Sequence, residues 1–77
     1  MLFLIEYDRL QGQIVTIQPF DESERNSAEN ARIDLELVLN VTGTKHEVVL
    51  LEAASEPALR LTHRRYFENL SELMKAS

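Results

Sequence analysis

The stretch that decides the fold is Glu47-Val-Val-Leu-Leu-Glu-Ala-Ala-Ser-Glu-Pro-Ala-Leu-Arg-Leu-Thr-His-Arg-Arg-Tyr-Phe-Glu-Asn-Leu70. It opens with an apolar run led by β-branched residues, Val48 to Leu51, which is typical of a buried strand. Ser55 and Pro57 then mark a helix start, because serine is a preferred N-cap and proline is tolerated in the first turn. The stretch predicts one strand that leads directly into one helix.

This second helix is predicted to have one apolar side. At 3.6 residues per turn, that side carries Leu59, His63, Tyr66, Phe67, Leu70, Leu73 and Met74. We expect Leu59, Tyr66 and Leu70 to pack against a sheet, each contributing about 1.5–3 kcal/mol by burial. His63 is the exception in this stripe, since it is the one polar ring among apolar side chains.

Two strands and a first helix precede this stretch. Residues 2–8 alternate, with apolar side chains on both faces, which predicts a central strand. Residues 14–18 resume the alternation and are predicted to form an antiparallel hairpin with the first strand. Pro19 ends the second strand or confines it to an edge. A first helix is expected from Asp21 to about Leu39.

The order β-β-α-β-α predicts a single small α+β domain over residues 1–77. A right-handed crossover from the second strand to the third gives a three-stranded sheet in the order 2-1-3. We expect a two-layer arrangement with both helices on one face. The other face of the sheet is then left uncovered and available to a partner.

The first helix is predicted to have a core face and an outer face. The core face carries Ala28, Ala31, Leu35, Val38 and Leu39. Ile33 and Leu37 point almost the opposite way, one turn apart, and a stacked pair of exposed apolar residues indicates an interaction patch. We expect a homodimer that forms through this side or through the uncovered sheet face.

Composition limits the possible function classes. The chain has 77 residues, a formal net charge of −5 and no cysteine. The negative charge disfavours general nucleic-acid binding, which depends on clustered positive charge. No apolar run approaches the roughly 20 residues that span a bilayer. No cofactor motif is present, and His46 has no second ligand at metal-binding spacing, so we expect neither cofactor nor metal.

His63 is the strongest candidate for chemistry. An imidazole in an apolar slot can act as a base if a carboxylate orients it, and the candidate partners are Tyr66, Glu52 and Glu6. The favoured alternative is a packed histidine with a structural role, because no nucleophile or second histidine accompanies it. A ligand-binding or catalytic domain is therefore the second hypothesis, after a non-enzymatic interaction module.

Arg60, Arg64 and Arg65 raise a third hypothesis, a nucleic-acid accessory protein. Phosphate-binding charges interleaved with Tyr66 and Phe67 are a pattern found on RNA-binding surfaces. The helical wheel counts against it, because the aromatic residues face the core while Arg64 and Arg65 diverge. We expect nucleic acid to be an unlikely partner.

One resemblance accompanies these patterns. The strand Val48-Val-Leu-Leu-Glu52, Ser55 and the helix Ala58-Leu-Arg-Leu-Thr-His-Arg-Arg-Tyr-Phe67 resemble a group of short uncharacterised bacterial proteins. Those proteins open with a strand that ends in Tyr-Asp-Arg, as Tyr7-Asp-Arg9 does. The resemblance implies a bacterial cytosolic protein and assigns no catalytic role to any residue.

Overall fold

The chain folds into a three-stranded sheet with one helix packed against each face. The structure is a computed structural model, which describes residues 1–67 apart from the side chain of Arg65. The elements in chain order are β1 (Leu2–Asp8), β2 (Gln13–Phe20), a 3-10 turn (Glu22–Glu24), α1 (Arg25–Thr42), β3 (Glu47–Glu52), α2 (Glu56–Thr62) and a second 3-10 turn (Arg64–Tyr66). The predicted α+β class and order of elements are confirmed.

The sheet has β1 at its centre, and the strand order β2-β1-β3 is the predicted one. Both neighbours run antiparallel to β1, so that Ile5 lies between Ile17 and Val49. The pairing with β2 is interrupted once, because Glu6 pairs with Thr16 whereas Tyr7 pairs with Ile14. This shift leaves Val15 as an extra residue in β2, which is a β-bulge.

The two faces of β1 build two separate cores. On one face, Leu2 and Leu4 pack with Phe20 of β2 and Ala28 of α1. On the other face, Phe3 and Ile5 pack with Leu59 of α2. Burial of Leu59 and Tyr66 is confirmed, with exposed fractions of 0% and 7%.

The prediction that both helices share one face in a two-layer arrangement is wrong. The right-handed crossover rule constrains α1, which connects two parallel strands on either side of β1. It places no constraint on α2, because no further strand follows α2 in the described residues. The apolar side chains on both faces of β1 need cover, and α2 supplies it on the side that α1 leaves open.

Helix α1 is anchored near its N-terminal end, begins later than predicted and extends three residues beyond the predicted end. Asp21 and Glu24 form the expected capping box before it. Ala28 is fully buried, which lets the helix approach the sheet closely. The helix ends at Thr42 and is capped by Gly43, whose φ of 72° is in the left-handed region. Val38, predicted on the core face, is 57% exposed because the second half of α1 packs less fully on the sheet.

Helix α2 is shorter than predicted. Its N-cap is Ser55, whose Oγ accepts a hydrogen bond from the Ala58 amide at 3.3 Å. The helix ends at Thr62, and the following 3-10 turn brings Tyr66 back against the sheet. The predicted positions of Leu70, Leu73 and Met74 on the apolar stripe lie outside the described residues. Within residues 1–67, no helix combines the length and apolarity needed to cross a membrane.

Candidate functional site

The side of α1 that faces away from the sheet carries an apolar stripe. Ile33, Leu37 and Val41 follow one another at four-residue spacing, so they are neighbours along one face. Their exposed fractions are 46%, 58% and 85%. The exposure predicted for Ile33 and Leu37 is confirmed, and Val41 joins them because α1 continues to Thr42. We call these three residues the outer stripe.

The charged side chains of α1 lie mainly on one flank, next to β3. Arg32 contacts two carboxylates there, at 3.0 Å from Glu29 and 3.1 Å from Glu36. Arg25 reaches Glu52 at the end of β3, with 3.4 Å between the Nη2 and Oε1 atoms. We call the set Arg25, Glu29, Arg32 and Glu36 the charged flank. Asp34 is the only other charged residue of α1 and lies on the opposite side of the outer stripe, whereas Glu29 and Glu36 border the stripe at i−4 and i+3 from Ile33.

A histidine and two carboxylates meet where β1 approaches the connection between α1 and β3. Nδ1 of His46 lies 2.5 Å from Oε2 of Glu6, and Nε2 lies 3.7 Å from Oδ2 of Asp8. Glu6 is only 8% exposed and is the one buried charged residue in the described part of the chain. Because a buried carboxylate needs a partner, this contact explains how Glu6 is tolerated on a core face of β1.

Sequence reasoning missed this cluster because His46 and Glu6 are 40 positions apart. The available signal was Glu6 itself, an acidic residue on the same face of β1 as Leu2 and Leu4. A carboxylate at such a position requires a hydrogen-bond donor from another element. The register of β3 against β1, which decides which donor arrives, is not encoded in either segment alone.

An open cleft of about 330 Å³ lies beside this cluster. It is lined by Glu36, Leu39, Asn40, Thr44, His46 and Val48. His46 forms part of its wall, but both ring nitrogens face carboxylates behind it. The polar groups that the cleft offers to solvent are therefore the carboxylate of Glu36, the amide of Asn40 and the hydroxyl of Thr44. Among residues 1–67, no three His, Asp or Glu side chains are grouped so that they could hold a metal ion.

The residues predicted to surround His63 are not brought together. Glu6 and Glu52 share the sheet face that packs on α1, whereas His63 follows α2 on the other side. The Glu6 carboxylate bonds His46 instead. Tyr66 donates a hydrogen bond from its hydroxyl to Glu47 at 3.1 Å, and its ring meets the edge of Tyr7 at 5.1 Å between centroids. These contacts fix Tyr66 in a structural position.

The predicted basic patch is divided among different surroundings. Arg60 donates to Glu56 at 2.8 Å, and its guanidinium lies over the ring of Phe67 at 4.5 Å from the centroid. Arg64 is exposed in the 3-10 turn that follows α2. The side chain of Arg65 lies outside the described set. Arg60 is thus engaged within the chain.

Glu52 at the end of β3 and Glu22 in the first 3-10 turn influence each other. A hydrogen bond shared with Glu52, followed by the bond to Arg25, lowers the pKa of Glu22 below its ordinary value. The same shared bond, together with the negative charge of Glu22, raises the pKa of Glu52. Arg25 lies between them, at 2.8 Å from Glu22 and 3.4 Å from Glu52. The group joins the start of α1 to β3 in an exposed position.

Comparisons with known proteins do not assign this arrangement to a class. No family model matches the sequence, and neither the curated proteins nor the solved structures give a match.

Proposed function

We propose that this chain is a small non-enzymatic interaction module that self-associates through the outer stripe of α1. The observation that carries the proposal is the exposure of Ile33, Leu37 and Val41 on one helix face. A contiguous exposed apolar surface of this kind is typical of an interaction site. Isolated exposed apolar residues are common, whereas three stacked over two turns of one helix form a continuous strip.

The stripe is suited to pairing with itself. In an antiparallel pair of helices related by a two-fold axis at Leu37, Ile33 meets Val41 of the second copy. Asp34 then meets Asn40 of the second copy, so that this carboxylate faces an amide donor. A two-fold interface must be complementary to itself, and this register brings no like charges together.

Charge is compatible with pairing at this surface. Two copies with a net charge of −5 repel each other at long range. Asp34 borders the outer stripe on one side and Glu29 and Glu36 border it on the other, and the register about Leu37 sets none of these three against a carboxylate of the second copy. Added salt screens the remaining repulsion without weakening apolar contact. We therefore expect association to strengthen moderately as salt increases.

Sedimentation equilibrium of the full chain tests the proposal. We expect a concentration-dependent mass above 8.9 kDa for the wild type. Leu37→Glu removes an apolar contact from each copy and places two carboxylates at the two-fold axis. It should raise the dissociation constant of this contact at least about a hundredfold.

The matched control is Leu10→Glu. Leu10 is 87% exposed in the turn between β1 and β2, and the substitution adds the same charge away from the stripe. Its association should equal that of the wild type. A wild type that stays at 8.9 kDa up to near-millimolar concentration contradicts the proposal, as does equal weakening by both substitutions.

The proposed setting is the bacterial cytosol. A chain without cysteine needs no oxidising compartment for its fold, which is compatible with a reducing environment. The resemblance of residues 47–67 to short bacterial proteins supports the same setting.

A further inference from the structure

The two edges of the sheet differ in how they are protected against pairing. Natural edge strands are blunted by proline, bulges or charge. The β2 edge carries Pro19 and a bulge at Val15. The β3 edge runs without interruption from Glu47 to Glu52, and its pairing with β1 shows no register shift. Its four central residues, 48–51, are apolar and only half buried. The β3 edge is therefore the open one.

The direction of the backbone groups along β3 can be assigned from the residue pair just beyond its C-terminal end. Met1 and Ala53 exchange two backbone hydrogen bonds, of 2.9 and 3.0 Å. Hydrogen-bonded pairs alternate along an antiparallel ladder, so Leu51, Val49 and Glu47 also direct their backbone groups toward β1. The amides and carbonyls of Val48, Leu50 and Glu52 point away from the sheet. This edge offers three donors and three acceptors in a row.

We infer that the β3 edge is a second self-association surface, at which β3 pairs antiparallel with β3 of another copy about a two-fold axis at Leu50. Leu50 then pairs with its own equivalent, and Val48 pairs with Glu52 of the second copy. The paired residues all have outward-directed backbone groups and lie on one face of the sheet, as an antiparallel ladder requires. The two sheets join into one continuous sheet of six strands.

The charged flank of α1 fits this pairing. The charged flank is symmetric about one point of α1, halfway along the helix segment from Arg25 to Glu36. Glu29 and Arg32 lie between these two residues and are equally far from the same point. When two copies of α1 run antiparallel about that midpoint, Arg25 meets Glu36 of the second copy and Glu29 meets Arg32. Every cross-helix pair is therefore of opposite charge. The four side chains remain between 34% and 49% exposed, so they are accessible for this contact.

The position of α1 over the sheet agrees with this register. Arg25 contacts Glu52, and Glu36 lines one cleft with Val48. The midpoint of the charged flank therefore lies above the middle of β3, near Leu50. A helix centred between β1 and β3 would lie about 10 Å from its symmetry equivalent, which is a normal packing distance between helices.

The side of the molecule that carries the β3 edge and the charged flank is one of its broad sides. The shortest extent of the Cα trace is 12 Å, against 39 and 33 Å in the other directions. The outer strands of a three-stranded sheet lie about 10 Å apart, so the short direction runs across the strands. The β3 edge and the flank of α1 consequently share one of the broad sides of the molecule.

Amide hydrogen exchange in the full-length Leu37→Glu variant tests the inference separately from the outer stripe. At high concentration we expect a dimer in sedimentation and protection of the Val48, Leu50 and Glu52 amides. Dilution should speed their exchange at least about tenfold, because their hydrogen bonds form only in the pair. The Val49 and Leu51 amides, bonded to β1, serve as internal controls and should respond much less.

A pair of charge substitutions in the same variant tests the register. Arg32→Glu sets a carboxylate against Glu29 of the second copy and should weaken the dimer about tenfold. Adding Glu29→Arg restores opposite charges and should recover most of the affinity. Circular dichroism checks that α1 remains helical in each variant.

The two proposals fail in different ways. A Leu37→Glu chain that is monomeric at every concentration overturns the β3 pairing and leaves the outer stripe standing if the wild type associates. A dimer whose outward amides exchange as fast as exposed ones also overturns it. Failure of Glu29→Arg to rescue Arg32→Glu overturns the register about Leu50.

Discussion

At the scale of single residues, Glu6 stands out as the one buried charged residue among residues 1–67. It is 8% exposed on a face of β1 that otherwise carries Leu2 and Leu4, and His46 is its partner at 2.5 Å. An ionised or polar group in such a position is tolerated only while it is hydrogen bonded. His46 therefore stabilises the fold by satisfying Glu6, and it also closes one wall of the open cleft.

We expect His46→Ala to destabilise the chain by about 1–3 kcal/mol, because it leaves the Glu6 carboxylate buried without its donor. Urea unfolding measures the change. Lys45→Ala, at the exposed neighbouring position, should change stability by less than about 0.5 kcal/mol. The double variant Glu6→Leu/His46→Ala should lose less than the sum of its single variants, since the unpaired carboxylate is removed. Strict additivity would show that the two residues do not act as a pair.

At this scale the sequence drew attention to His63 and not to His46. His63 lies in an apolar stripe and invites a search for partners, whereas His46 lies in a polar loop beside Lys45. The apolar pattern correctly predicted burial of Leu59 and Tyr66, because burial follows from helical periodicity. Which imidazole meets which carboxylate depends on strand register, and that was accessible only once β1 and β3 were paired.

At the scale of elements, the strands followed their patterns more closely than the helices. Alternation on both faces of residues 2–8 correctly placed β1 at the centre of the sheet. The same alternation also indicated where α2 packs, because apolar side chains on both faces of β1 require a packed element on each face. The helix lengths were harder to predict: α1 runs past Leu39 to Thr42, and α2 ends at Thr62 although the apolar stripe continues. Helix ends depend on capping and on tertiary contacts that periodicity does not contain.

The end of α1 provides a test at this scale. Gly43 has a φ of 72°, and a Cβ added there would meet no atom within 4 Å. Gly43→Ala should therefore cost about 1–2 kcal/mol from backbone strain alone, without a steric clash. Gly43→Asn should cost less, because asparagine tolerates the left-handed region better. Equal stability of all three chains in thermal unfolding would contradict this account of the helix end.

At the scale of the whole molecule, the core is thin. The buried apolar residues among those described are Leu2, Phe3, Leu4, Ile5, Phe20, Ala28, Leu59 and Tyr66. Half of them belong to β1, so the strand is well covered while both outer strands and most of α1 are not. A domain of about 60–80 residues buries a smaller fraction of its surface than a larger one does. Association through α1 and through β3 would add burial where a single copy lacks it.

Cross-linking through cysteine tests the central claim, self-association at the outer stripe, most directly. The natural chain has no cysteine, so Leu37→Cys introduces a single thiol at the proposed two-fold axis. Leu10→Cys, at an 87% exposed position in the turn between β1 and β2, is the control. Under mild oxidation in native buffer we predict rapid formation of a covalent dimer by Leu37→Cys, slow formation by Leu10→Cys, and loss of the difference in urea. Equal rates for the two variants in native buffer would contradict the account.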